Sequence, residues 1–158
     1  MMHLYDQSSD RINKLITRAY STSFSLGILG LNRSLRDPIY GIYGFVRVAD
    51  EIVDTFHGHD KASLLKRFWK DTHMALDERV STNPVLHSFQ RVVHTYQIDR
   101  SLVDTFLASM EMDLEDRTYT QAEYEKYILG SAEVVGLMCL KVLWEGIRPN
   151  TKNSPPSP

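Results

Sequence analysis

Four side chains able to do chemistry follow one another along a single predicted helix: Tyr43, Arg47, Asp50 and Asp54. Their spacings of four, three and four residues place them on one helical face. Carboxylates one turn apart offer oxygen ligands to hard divalent cations, and Mg²⁺ usually takes one or two of them while substrate phosphate supplies others. Arg47 precedes Asp50 by one turn, where a guanidinium can fork onto phosphate oxygens. The pattern indicates a metal and phosphate site.

The neighbouring face of the same helix is apolar and predicts core positions at Ile42, Phe45, Val46, Ala49 and Val53. A polar stripe beside such a face is costly to bury unless a ligand satisfies it. The alternative is a solvated face on which Arg47 forms an ion pair with Asp50 or Glu51. The residues alone leave both interpretations open.

A hydroxyl-rich segment, Ser21–Phe24, precedes this helix. Its hydroxyls and free backbone N–H groups could receive a phosphate, and the alternative is a capping or turn role. Small side chains recur in the last predicted helix, at Gly130, Ala132 and Gly136. They indicate either tight helix packing or the wall of a long apolar cavity. Cys139 is predicted to belong to the core.

The elements that must position these residues are helical, because apolar residues recur at spacings of three and four and each onset carries a cap. About six helices result, so the fold class is all-α. The predicted onsets are Ser9 or Asp10, Asp37-Pro38, Asp60, Asn83-Pro84, Asp99, and Thr120 with Glu123. The helix from Asp37-Pro38 is expected to close at His57-Gly58, and the last to run from Gln121 to about Trp144.

Composition predicts one globular domain, with 42% hydrophobic and 24% charged residues among 158. A net charge of -2 argues against nucleic acid as a partner, and a single cysteine excludes an internal disulfide. The amino terminus lacks the apolar core of a signal peptide, and no apolar run is expected to cross a bilayer. The predicted location is cytoplasmic. The domain is expected over 1–145, followed by a disordered proline-rich tail over 146–158.

Several segments together resemble the squalene/phytoene synthase family. Ser21–Phe24 and the run Tyr40–Asp54, YGIYGFVRVADEIVD, are similar to the family's first substrate-binding segment. Met110–Leu114 and Tyr127–Met138 are similar to its middle segment. The resemblance extends from about Ser8 to Trp144 in the family's order and spacing. It implies the all-α isoprenoid synthase fold and an enzyme that joins two prenyl diphosphates head to head, in the manner of phytoene synthase or, as second choice, squalene synthase.

The resemblance also implies roles for individual residues. Asp50 and Asp54 would bind Mg²⁺, with Mn²⁺ as a substitute, and NADPH would be needed only by an enzyme of the squalene synthase type. The diphosphate site would be lined by Tyr43, Arg47, Ser21 and Ser23. The prenyl chains would be bordered by Phe24, Tyr127, Ala132, Val135 and Gly136. Thr22 departs from the lysine of many members, and peripheral membrane contact would serve product release.

The family also carries a second aspartate motif downstream, which this sequence lacks before its tail. Read one frame over, the codons of 146–158 permit a sequence that resembles the relatives, so we hypothesise a frameshift near Gly146 and a truncated synthase. The competing interpretation is a non-catalytic helical module that binds a prenyl diphosphate or a partner helix. A terpene cyclase explains the middle segment less well.

Overall fold

The computed structural model describes residues 1–115 and 118–147, and this part of the chain is helical without strands. The all-α prediction is confirmed. Within these residues eight α-helices follow one another, with a π-helical turn, Leu129–Glu133, between the last two. The helices are α1 (Met2–Tyr20), α2 (Thr22–Ile28), α3 (Arg33–Asp54), α4 (Lys61–Glu78), α5 (Pro84–Thr95), α6 (Arg100–Asp113), α7 (Gln121–Ile128) and α8 (Val134–Ile147).

Four of the predicted caps are confirmed by hydrogen bonds. The side chains of Asp60, Asn83, Asp99 and Thr120 each accept a backbone N–H from the first turn of the following helix. The donor–acceptor distances are 3.1, 3.0, 2.9 and 3.2 Å, in that order. These caps satisfy N–H groups that have no partner inside the helix, and they begin α4, α5, α6 and α7 where the sequence predicts.

The predicted start of α1 at Ser9 or Asp10 is wrong, because the helix already begins at Met2. Tertiary contacts hold its first turns. The Asp6 carboxylate lies 2.7 Å from Nε2 of the buried His87 on α5, and the Tyr5 ring packs against the same imidazole. A cap pattern cannot reveal a helix start that is fixed by contact with a distant helix.

The predicted start of α3 at Asp37-Pro38 is also wrong, since α3 begins at Arg33 and contains Pro38. The first turn is held by Arg36, whose guanidinium donates to the carbonyl oxygens of Leu29 (3.0 Å) and Leu31 (3.1 Å) in the preceding loop. These bonds support a turn that the proline alone would not predict. The helix ends at Asp54, a few residues before the expected His57-Gly58.

Two further differences explain why the structure has more helices than the six expected. Helix α1 ends at Tyr20, and after Ser21 the chain forms the additional short helix α2. The single last helix is divided into α7, the π-helical turn and α8. The extra residue per turn of a π-helix shifts the faces of the two flanking helices relative to each other.

Helix α3 is the centre of the bundle and contacts α1, α4, α5, α6 and α8. Its Phe45 is fully buried and stacks on Phe89 of α5, with ring centroids 3.9 Å apart, while Phe68 and Phe106 lie 5.5 and 5.6 Å away. The core positions predicted at Ile42, Phe45, Ala49 and Val53 are buried, and Val46 is half-buried. This packed side of α3 fixes the direction of its polar side.

The last helical stretch, Gln121–Gly146, is by length and composition apolar enough to cross a membrane, contrary to the sequence expectation. Core helices of soluble proteins meet the same criterion, so this is weak evidence for a span. Only 22% of the most apolar 18-residue stretch of this segment is buried. The sequence predicts a disordered tail from 146, but Gly146 and Ile147 still belong to α8. The remainder, 148–158, lies outside the described residues, and the frameshift stays a prediction.

Candidate functional site

The four predicted residues Tyr43, Arg47, Asp50 and Asp54 lie along one side of α3, at the boundary between core and solvent. The Arg47 and Asp50 side chains are 23% and 31% exposed, Tyr43 is half-buried and Asp54 is exposed. The polar ends of these side chains therefore remain accessible to a ligand, while the core fixes the helix that carries them.

Arg47 has partners from three directions. It hydrogen-bonds the carboxylate of Glu51 through Nε (3.1 Å) and Nη2, and its Nη1 lies 3.8 Å from Asp50. The guanidinium also lies over the Tyr20 ring, 4.6 Å from the centroid. The hydrogen bond from Arg47 lowers the pKa of the Glu51 carboxyl. The ion-pair alternative from the sequence is thus present, and it holds the guanidinium beside Asp50.

The electrostatics around Asp50 favour a cation. Burial raises the pKa of Asp50 to about 6, outweighing attraction by Arg47, and the neighbouring carboxylates of Asp54 and Asp113 add to the rise. Ionised together, these three carboxylates repel one another, and a divalent cation would relieve that repulsion. Their hard oxygen atoms are the donors that Mg²⁺ prefers, so Asp50 and Asp54 fit the metal implied by the resemblance.

The described residues contain no preformed group of three or more metal-ligating His, Cys, Asp or Glu side chains. Mg²⁺ commonly binds through one or two carboxylates and completes its shell with phosphate and water. The donor set therefore fits a cation that arrives together with a phosphate-bearing ligand.

Asp113, the last residue of α6, is a site residue that sequence reasoning missed. Its Oδ2 accepts a hydrogen bond of 2.9 Å from the hydroxyl of the half-buried Tyr127 on α7. Burial, together with this bond, raises the pKa of Tyr127 to about 12, so the phenol remains a donor. Asp113 lies within the segment that carries the family resemblance. It is on α6 and Asp50 is on α3, so the residue spacing within a single helix could not link the two.

The junction of α1 and α2 contributes Ser21, Ser23 and Phe24. The Ser21 hydroxyl accepts from the backbone N–H of Phe24 (3.1 Å), which confirms the capping role considered as an alternative. The Phe24 ring stacks on Tyr43 with centroids 4.8 Å apart. These contacts bring α2 against the polar side of α3.

An apolar cavity of about 310 Å³ opens between α2, α3 and α8. Its lining includes Phe24, which the resemblance assigns to the prenyl chains, and Ser23, which the resemblance assigns to the diphosphate. Cys139 also lines it and is half-buried rather than a full core residue, and burial raises the pKa of its thiol to about 11. Ile28 and Leu143 complete opposite sides.

The other predicted wall residues do not line this cavity. Ala132 lies in the π-helical turn and Gly136 on α8, and both are exposed, whereas Val135 is half-buried. The same helix exposes Leu137 by 48%, Leu140 by 60% and Trp144 by 61%. We call these last three residues the α8 face. It is an uncovered apolar surface next to the site.

Solved structures establish the class of fold. A crystal structure of squalene synthase from Alicyclobacillus acidocaldarius superposes with a TM-score of 0.79 at 24% identity, covering 88% of this chain and 52% of that one. A dehydrosqualene synthase structure gives 0.75 at 21% identity, covering 87% and 48%. The chain therefore has the isoprenoid synthase fold, as the resemblance implied.

Sequence comparison then gives the family. The family described as squalene/phytoene synthase matches residues 17–154, and the chain belongs to that family. A phytoene synthase of Rhodobacter capsulatus is 30% identical over 128 residues, which is 79% of this chain and 38% of the relative. A presqualene diphosphate synthase of Rhodopseudomonas palustris is 25% identical over 126 residues, or 78% and 45%. The chain thus spans less than half the length of these relatives.

Proposed function

We propose that this chain binds a prenyl diphosphate with Mg²⁺ and serves head-to-head prenyl transfer. The observation that supports the proposal is the group of carboxylates at the polar side of α3, where burial and like charge raise the pKa of Asp50 to about 6. That side of α3 is joined by α2 to an apolar cavity. A ligand with a charged head and an apolar tail fits both parts.

Each residue has a distinct part in this proposal. Asp50 and Asp54 hold the cation, and Arg47 donates to phosphate oxygens while Glu51 keeps its guanidinium in place. Bound Mg²⁺ supplies neutralisation of the charge that develops on the leaving diphosphate. Asp113 orients the Tyr127 hydroxyl toward the carboxylate side of the site. The diphosphate departs and leaves an allylic cation, the double bond of the second prenyl group attacks it, and loss of a proton from the resulting cation gives a neutral carbon skeleton.

The cavity beside Phe24 excludes water from that cation. We assign Ser21 and Ser23 to the part of the site that binds the diphosphate. A second wall of the prenyl-binding cavity, which closes when the α8 face is covered, is assigned to Ala132, Val135 and Gly136. A phytoene-type product is our first choice; the relatives include a phytoene synthase at 30% identity and a presqualene diphosphate synthase of Sinorhizobium fredii at 31%, so identity does not separate the two products. A squalene-type product, which would require NADPH, is second. The proposed location is cytoplasmic, with peripheral membrane contact for release of the apolar product.

Thermal melts with farnesyl diphosphate and Mg²⁺ test the binding proposal. We expect the ligand pair to raise the melting temperature, because it binds the folded state. Asp50→Ala with Asp54→Ala should abolish the rise. Asp71→Ala with Glu78→Ala is the matched control, since it removes two exposed carboxylates on α4 and should preserve the shift. An equal shift in the Asp50/Asp54 variant would remove the metal site from this account.

Catalytic turnover requires more than binding of the prenyl diphosphate. The described residues supply one aspartate motif and an open wall, whereas stabilising the transition state requires charge neutralisation around the diphosphate and exclusion of water. We therefore expect the 158-residue chain alone to form no hydrocarbon product from farnesyl or geranylgeranyl diphosphate, as measured by extraction and mass spectrometry. Product formation would show that one motif suffices.

The α8 face favours a second candidate function, a non-catalytic module that binds a partner helix. Exposed apolar patches of this kind commonly mark interaction sites. In this case Leu140→Asp with Trp144→Asp should abolish association with a partner, while the thermal shift with farnesyl diphosphate persists. Sedimentation velocity of the chain and this variant tests self-association, the simplest form of such binding.

A further inference from the structure

A second polar groove lies between α1 and the first turns of α3. It has a volume of about 520 Å³ and is lined by basic side chains from both helices: Arg11, Lys14, Arg33 and Arg36. Arg33 and Asp50 are 17 residues apart on one helix. At a rise of 1.5 Å per residue this is about 25 Å, so the groove is separate from the proposed metal site. We call it the basic groove.

The positive charge of the basic groove is poorly compensated. In the described parts of the chain, Arg11 and Arg33 form no hydrogen bond or ion pair, whereas Lys14 lies 5.9 Å from the centroid of the Tyr40 ring and attracts the Asp37 carboxylate. Arg36 bonds neutral carbonyl oxygens and keeps its full charge. Four cationic side chains thus line one groove.

Two carboxylates, Asp10 and Asp37, also line the groove. Asp10 is already neutralised from the other side, because Arg91 Nη1 lies 3.2 Å from both of its oxygens and the Ser88 hydroxyl donates to it at 2.8 Å. Burial and the charge of Asp10 raise the pKa of Asp37, against the attraction of Lys14 and Arg91. The lining thus holds four cationic side chains and two carboxylates. The groove is therefore positive overall.

A buried polar atom without a partner lies in the same lining. Tyr40 is 1% exposed, and its hydroxyl forms no hydrogen bond with the described residues. An unsatisfied buried hydroxyl costs free energy that a bound polar ligand or water can recover. The groove thus combines cationic side chains with a buried tyrosine of its lining whose hydroxyl is unsatisfied.

We propose that the basic groove binds a phosphate group, carried either by free diphosphate or by the headgroup of an acidic phospholipid. Guanidinium groups suit phosphate oxygens because they donate paired hydrogen bonds, and Arg11 and Arg33 come from different helices, so one anion can bridge α1 and α3. The amino-terminal end of α3 adds a partial positive charge. This binding does not depend on the proposed prenyl transfer.

Two probes distinguish the sources of the phosphate. The first is inorganic diphosphate, titrated calorimetrically in buffer with EDTA so that no metal supports binding at Asp50. The second is sedimentation with vesicles of phosphatidylglycerol, compared with phosphatidylcholine. Binding of diphosphate indicates a soluble ligand, and binding of phosphatidylglycerol vesicles alone indicates a headgroup.

The variant Arg11→Gln with Arg33→Gln should lower the affinity for whichever probe binds by about tenfold or more, because it removes two charge-assisted contacts. Arg67→Gln with Lys70→Gln on α4 removes the same charge from exposed positions and should bind as the unmodified chain does. Melting curves check that both variants fold. The proposal is overturned if neither probe binds, if both variants bind alike, or if Arg47→Gln alone abolishes binding.

Discussion

Helices α3 and α8 are both rich in apolar residues, yet they are buried to different extents. On α3, Ile42, Phe45 and Ala49 are fully buried, because α1, α4, α5 and α6 surround the helix. On α8, one side packs on α3 and α6, and the opposite side exposes Leu140 and Trp144 by 60% and 61%. Burial is thus set by the neighbours that a helix finds, and the candidate site lies at the boundary between the two regions.

The largest expected effect is at the centre of the packed region. Phe45→Ala should lower the free energy of unfolding by about 3–5 kcal/mol, since it removes a buried ring that stacks on Phe89. Leu140→Ala on the α8 face should change it by less than about 0.5 kcal/mol, because that side chain is mostly solvated. Urea unfolding measures both values. Equal losses would contradict the contrast between the two helices.

A pair of glycines gives the next effect, with opposite signs. A Cβ at Gly44 would lie 2.5 Å from Oδ1 of Asn13, whose amide donates to the carbonyl oxygens of Gly41 and Val85 and cannot easily move. Gly44→Ala should therefore destabilise the fold by about 1–3 kcal/mol.

Gly136 on α8 has open space around it. Gly136→Ala should stabilise the fold by about 0.4–1 kcal/mol, because alanine loses less backbone entropy in a helix. Chemical denaturation of the two variants provides the comparison. A stabilising Gly44→Ala would show that α1 and α3 are not closely packed at this point.

These contrasts also show what the sequence can predict. Local signals such as the caps Asp60, Asn83 and Asp99 are confirmed, because each acts within one turn of its own helix. The apolar side of α3 follows from helical periodicity and is also confirmed. The shared side of Tyr43, Arg47, Asp50 and Asp54 could be predicted because all four residues belong to one helix.

Features that depend on contacts between helices could not be predicted. Asp113 and Tyr127 meet across α6 and α7, and no spacing along the chain specifies that bond. The early start of α1 depends on contact between Asp6 and His87, which are 81 residues apart. The exposure of the α8 face is similarly invisible, since an apolar sequence does not say whether another helix covers it.

The last effect concerns pH. Burial raises the pKa of Asp50 to about 6 from an ordinary value of 3.8, so between these values the folded chain holds a proton that the unfolded chain has lost. At pH 7 the chain should be less stable than its Asp50→Asn variant, by less than about 2 kcal/mol for a partly solvated carboxyl. The deficit should close as the pH falls through 6 toward 4.

Thermal melts of both proteins from pH 4 to 8 measure this difference, with Asp71→Asn as the control for the loss of an exposed carboxylate. Saturating Mg²⁺ with farnesyl diphosphate should close the deficit at pH 7 as well, because the cation replaces the proton as the neutralising charge. A difference that is independent of pH would contradict the electrostatic description of Asp50.

Electron paramagnetic resonance of bound Mn²⁺ tests most directly whether Asp50 and Asp54 hold a cation. Mn²⁺ replaces Mg²⁺ at oxygen ligands, and its spectrum distinguishes free from bound ion. Farnesyl diphosphate without protein gives the background of bound Mn²⁺. Above this background, the unmodified chain and the Asp71→Asn/Glu78→Gln control should bind Mn²⁺, whereas Asp50→Asn/Asp54→Asn should bind none at the same concentrations. Equal binding by all three proteins would contradict the metal site on α3.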